Sequence, residues 1–139
     1  VSAPKGGERR FRVAFVCVEN ACRSQMAEAF ARMSGGPGVE AYSAGSQGGA
    51  GVNPRAVAAM AELGYDLTSH TSKPLSALPD VTFDVAVTMG CGDACPVLNC
   101  RRREDWDLPD PKHLDPDAFR AVRDEIGRRV RALLEGLAP

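Results

Sequence analysis

Residues 11–30 read FRVAFVCVENACRSQMAEAF. The opening run, Phe11 to Val18, is short, apolar and β-branched, as a buried strand is. From Arg23 the spacing becomes helical. Met26, Ala29, Phe30 and Met33 fall on one face, and Gly35-Gly36-Pro37-Gly38 stops the pattern. Between strand and helix lies Cys17-Val18-Glu19-Asn20-Ala21-Cys22-Arg23-Ser24. Residues 18–24 can turn their backbone N–H groups around one centre, and the positive helix end reinforces such a nest for an anion. Arg23 can grip two oxygens in a planar fork, which lysine cannot. The same field favours a Cys17 thiolate, to which Ser24 can donate a hydrogen bond. Cys17 is thereby a candidate nucleophile beneath a bound oxyanion. The plain alternative is a buried cysteine acting as a small hydrophobe. A nucleotide P-loop is excluded, because no G-x-x-x-x-G-K-[ST] occurs.

Outward from this unit the alternation continues. VEAYSAG (39–45) reads as a second strand, followed by a Gly-rich loop. Asn53-Pro54 starts a second helix through Val57, Met60 and Ala61, ending near Gly64. FDVAVTM (83–89) reads as a third strand, and a short fourth is placed near Arg103 to Asp107. Asp115-Pro116 caps a last helix with Phe119, Val122, Ile126, Val130, Leu133 and Leu137 on one stripe. Strands alternating with helices predict an α/β protein: a three-layer α/β/α arrangement on a four-stranded parallel sheet, with ligands at the strands' carboxyl ends. Residues 1–10 read as a flexible extension and 11–139 as one domain, with no internal repeat.

The chain has 139 residues, 25% of them charged, with a net charge of -1, which points to neither nucleic acid nor an anionic membrane as partner. No apolar stretch has the ~18 residues of a membrane span, and no signal peptide is evident, so a cytoplasmic monomer is expected. In that reducing compartment five cysteines imply reactive, metal-binding or buried thiols rather than structural disulfides.

VCVENACRSQMAEAF resembles the catalytic loop and first helix of the low-molecular-weight protein tyrosine phosphatase superfamily. With YSAG (42–45), VNPRAV (52–57) and HTSK (70–73), it is similar to the thiol-dependent arsenate reductase branch. The resemblance runs from about residue 11 to the last helix. It implies reduction of arsenate to arsenite, for arsenic detoxification, by Cys17 and a thiol relay drawing electrons from thioredoxin, with no resident cofactor. Phosphate and sulfate would act as inhibitory analogues. In TMGCGDACPVLNC, Cys91 would attack the Cys17 adduct and Cys95 would then attack Cys91. In the branch that this sequence resembles, about six residues separate these two cysteines. Here three intervene, so Cys100 stays open as the resolving thiol, and a small thiol with glutaredoxin stays open for one step. Structural zinc is disfavoured, because C-x4-C and C-x3-C are not the paired C-x2-C of zinc knuckles. A phosphatase acting through Cys17 alone is the alternative reaction.

The resemblance makes Asp110, in an Asp-Pro pair, the general acid, although Asp-Pro is also an ordinary turn. Asp105 and Asp107 read as surface charges, and Trp106 as a core-edge residue. Asn20, Glu28 and Ser43 match positions that support the loop. Some relatives hold a potassium ion there, completed by an aspartate after HTS; Lys73 stands in that place, so no potassium site is expected. His70 is expected to be structural, and Cys22 to support loop packing outside the relay.

Overall fold

The computed structural model describes residues 11–89 and 98–137. The expected N-terminal extension, Cys91 and Cys95 lie outside the described residues. Four strands, β1 (Phe11–Cys17), β2 (Val39–Gly45), β3 (Phe83–Met89) and β4 (Cys100–Trp106), form a parallel sheet in the order β2-β1-β3-β4. Among the described residues three α-helices accompany it: α1 (Arg23–Gly35), α2 (Pro54–Ala61) and α3 (Pro116–Leu137). This is the α/β architecture that the alternation predicts.

The central strands are apolar on both sides because both faces of the sheet are covered. In β1, Val13 and Phe15 on one side and Ala14 and Val16 on the other are all fully buried. On the Phe15 side a single core joins the sheet to all three helices through Met26, Met60 and Ile126. Trp106 closes its edge, with its ring 6.2 Å from that of Phe15. Asn53 caps α2 by accepting from the Arg55 amide, and Asp115 caps α3 by accepting from Ala118.

Two details differ from expectation. β4 begins at Cys100 and ends at Trp106, three residues earlier at its start than the placement near Arg103 to Asp107. It is an edge strand carrying Arg101-Arg102-Arg103 toward solvent, so an apolar pattern had nothing to report. Met33, placed on the buried face, is 45% exposed. α1 is buried throughout from Arg23 to Ala31, and its last turn emerges from the core.

Candidate active site

β1 delivers Cys17 to the carboxyl edge of the sheet, and α1 leaves from the same point. Cys22 is the N-cap of α1 but makes no side-chain cap. The helix's positive end therefore faces the loop without a side chain neutralising it. Gly45, at the end of β2, lets the loop lie close. A Cβ there would sit 2.4 Å from the Val18 carbonyl oxygen and 2.7 Å from the Asn20 nitrogen. Asn20 turns the loop with φ of 52°, in the left-handed region that asparagine tolerates better than most residues.

Cys17 is 2% exposed, and its Sγ lies 2.8 Å from Ser24 Oγ. What surrounds that contact is oriented by groups whose roles are fixed. The Lys73 backbone N–H donates to Asn20 Oδ1 at 2.8 Å. Asn20 Nδ2 must then face Ser24 Oγ, which it meets at 2.7 Å. Ser24 accepts that bond and keeps its own hydrogen for Cys17; toward a Cys17 thiolate, which can only accept, Ser24 is the donor and stabilises the charge. The same logic runs the other way. Gln25 Nε2 donates to the Asn20 carbonyl, to Asn20 Oδ1 and to the Thr71 carbonyl. Gln25 Oε1 then faces His70 Nδ1 at 2.9 Å, so Nδ1 carries the proton. His70 Nε2 is left to accept from the Tyr65 hydroxyl at 2.6 Å. Burial holds the His70 pKa below its ordinary 6.5; Arg32 and Lys73 add to this and Glu28 opposes it. His70 is thus a neutral structural member of a chain that ends at Cys17.

Glu28 braces the base of the loop. It accepts from Ser43 Oγ at 2.6 Å and Arg32 Nε at 2.7 Å. The Lys73 ammonium lies 3.8 Å from Glu28 Oε1 and donates to the Thr71 carbonyl. Lys73 thus touches the network twice, through its backbone at Asn20 and its side chain at Glu28.

Cys17, Glu19, Ala21, Cys22, Arg23 and Asp110 line one surface depression. Arg23 is 6% exposed, donates to the Leu108 carbonyl at 3.1 Å and lies 3.7 Å from Asp110 Oδ2. Asp110 also accepts from the Lys112 amide at 3.1 Å, so it holds an ordinary Asp-Pro turn while facing the depression. Burial pushes the Cys22 thiol up to about 12; Asp110 and Cys17 add to this and Arg23 opposes it. At neutral pH Cys22 is a protonated packing residue. Asp105 and Asp107 are exposed; Asp105 accepts from Thr88, its register partner on β3. Among the described residues no three of His, Cys, Asp and Glu converge to hold a metal. Nor, among them, is any helix long and apolar enough to cross a membrane.

The sequence reading brought Cys17, Asn20, Arg23, Ser24, Glu28, Ser43, Lys73 and Asp110 into the argument. It passed over Gln25, Tyr65, Thr71 and Lys112. Gln25 stands within the CRSQ string and its partners within HTSK, but the two strings are distant in the chain, and nothing local pairs them.

The cysteine-and-arginine loop between a parallel strand and a helix end defines a family. Residues 12–139 match the model of the low molecular weight phosphotyrosine protein phosphatase family, and the chain belongs to that family. Among its relatives, arsenate reductase 1 of Staphylococcus epidermidis is 43% identical over 116 residues, covering 81% of this chain and 86% of the relative. A solved arsenate reductase in the phosphate-binding state superposes with a TM-score of 0.84 at 36% identity, covering 92% of this chain and 99% of that one. The thioredoxin-dependent arsenate reductase of Corynebacterium glutamicum gives a TM-score of 0.76 at 31% identity, covering 94% of this chain and 63% of that one.

Proposed function

We propose that the chain is an arsenate reductase that acts as a cytoplasmic monomer and draws its electrons from thioredoxin. The observation that carries this is the 2.8 Å contact of Ser24 Oγ with Cys17 Sγ, where Cys17 lines a depression that Arg23 and Asp110 also line. Arsenate sits on the α1 end and Arg23. The Cys17 thiolate attacks arsenic, and Asp110 protonates the departing oxygen so that it leaves as water. Cys91 then attacks the Cys17 sulfur. The sulfur–arsenic electron pair passes to arsenic, which leaves as arsenite, and a Cys17–Cys91 disulfide remains. Cys95 attacks Cys91, frees Cys17 and forms a second disulfide, which thioredoxin reduces. Reductase relatives, one of them thioredoxin-dependent, support this assignment.

No resident cofactor takes part. The Lys73 ammonium serves Glu28 where some relatives use potassium; its 3.8 Å approach to Oε1 supports that role. A reaction that consumes thiols suits a reducing compartment. The same depression suits phosphate, so phosphate and sulfate compete with arsenate, and hydrolysis of aryl phosphates through Cys17 is the second reading.

The test is arsenate-dependent NADPH oxidation with thioredoxin and thioredoxin reductase, on the wild type and on Cys17→Ser, Cys91→Ser, Cys95→Ser and Cys100→Ser. Turnover that needs Cys17, Cys91 and Cys95 but not Cys100 supports the relay. Dependence on Cys100 in place of Cys95 reassigns the resolving thiol. Turnover that appears only when a small thiol and glutaredoxin replace thioredoxin reassigns the electron donor. No arsenate turnover, with aryl phosphates cleaved through Cys17 alone, makes the chain a phosphatase.

A further inference from the structure

Glu19 is an odd residue for an oxyanion loop. It places a carboxylate between Cys17 and Arg23, and it lines the same depression. Its Oε2 meets Lys112 Nζ at 3.1 Å. The partner arrives from 93 residues away, on the turn that carries Asp110. Lys112 Nζ also lies 4.0 Å from Asp110 Oδ2. One ammonium therefore stands between the two carboxylates of the depression, and it approaches the same Asp110 oxygen that lies 3.7 Å from the Arg23 guanidinium. The Glu19 hydrogen bond raises the Lys112 pKa, so the ammonium keeps its charge at any working pH.

We propose that Glu19 and Lys112 form a clasp that joins the oxyanion loop to the Asp110 turn and sets the site's affinity for a multiply charged anion. This rests on the oxyanion reading of the depression. With Lys112 in place, an incoming dianion meets Arg23, the α1 end and an ammonium against two carboxylates. Without it, Glu19 faces the anion unneutralised. Without Glu19, Lys112 is released to the anion. An exposed ion pair ordinarily contributes little to stability. Here its position, not its strength, gives it an effect, because a bound anion shares the same small space.

The geometry separates binding from chemistry. Lys112 holds Asp110 Oδ1 through its backbone N–H, at 3.1 Å, and a side-chain substitution leaves that contact in place. Lys112→Met should therefore raise KM more than it lowers kcat.

The test compares Lys112→Met, Glu19→Gln and the double variant with the wild type. Phosphate binding is read by calorimetry at low and high salt, and arsenate turnover is read in parallel. Phosphate binding needs no turnover, so it decides the clasp even if the arsenate reaction fails. Two unit charges about 4 Å apart in water interact enough to change an equilibrium about fivefold. Lys112→Met should weaken phosphate binding by about three- to fivefold at low salt, and Glu19→Gln should tighten it. The double variant should return to near the wild-type value. These differences should shrink sharply at ~1 M salt, where the Debye length falls to about 3 Å. Unchanged phosphate affinity in both single variants overturns the clasp, even if their melting temperatures move. So does a shift of the same sign in both single variants.

Discussion

Asn20 carries more of the site than its size suggests, and replacing it offers a quantitative test of the network. The residue is fully buried. Its side chain takes part in three hydrogen bonds: it accepts from the Lys73 amide and from Gln25 Nε2, and it donates to Ser24 Oγ. Each is worth about 1 kcal/mol net, so losing all three costs about 3 kcal/mol. Alanine also lacks the short polar side chain that lets asparagine occupy φ of 52°, which adds about 1 kcal/mol. The alanine variant should lose about 4 kcal/mol, a large share of a typical 5–15 kcal/mol total. Asn20→Gly removes the same side-chain bonds but not the backbone freedom, so it should lose about 1 kcal/mol less than alanine. Urea unfolding followed by circular dichroism measures both. In either variant Ser24 loses the donor that orients it, and alkylation of Cys17 by iodoacetamide should slow by roughly tenfold or more. An alanine loss below about 1 kcal/mol would refute the three-bond network. Equal losses for alanine and glycine would refute the role of the left-handed turn.

Tyr65→Phe removes the donor to neutral His70 and should cost about 1 kcal/mol at pH 7.5. That gap should narrow toward pH 5.5, and nitrogen NMR of the ring would show whether the proton leaves Nδ1. In the wild type the depressed His70 pKa makes the unfolded chain bind the proton first. Stability is thus full above pH 6.5 and falls as the pH drops toward the folded-state value, a loss His70→Asn should flatten in acid titrations of the urea midpoint. Gly48→Ala would set a β-carbon 1.9 Å from the Lys73 carbonyl oxygen, so it should unfold or displace the 70–74 segment and lower the melting temperature by several degrees. With its thiol held near 12, Cys22 should escape alkylation at pH 7.5 while Cys17 reacts, and peptide mass spectrometry can count the two separately.

The parts of the molecule that were legible in the sequence are those written in local patterns. β1 and β3 are apolar runs because both faces of the sheet are covered. The loop announces itself through cysteine, arginine and serine at fixed spacing. β4 was harder to place because its residues answer to solvent along one edge: Arg101, Arg102 and Arg103 are all exposed, and only Trp106 is buried. Met33 misled because helical spacing says which side a residue faces, not how far along the helix the core extends. Lys73 drew attention for its ammonium. Its backbone amide orients Asn20, which in turn donates to Ser24 beside Cys17, and no amide differs from another in a sequence. Gln25 and Tyr65 were invisible for a related reason, since their value lies in partners that only folding brings near.

The dependence on the Lys73 amide has an evolutionary corollary. An amide hydrogen is supplied by every amino acid except proline. A change of side chain at position 73 would therefore alter what faces Glu28 while leaving the orientation of Asn20 unchanged. Ion requirements can be gained or lost at this position without rebuilding the nucleophile's surroundings. Only proline is barred, and in this chain it stands one residue further on, at Pro74.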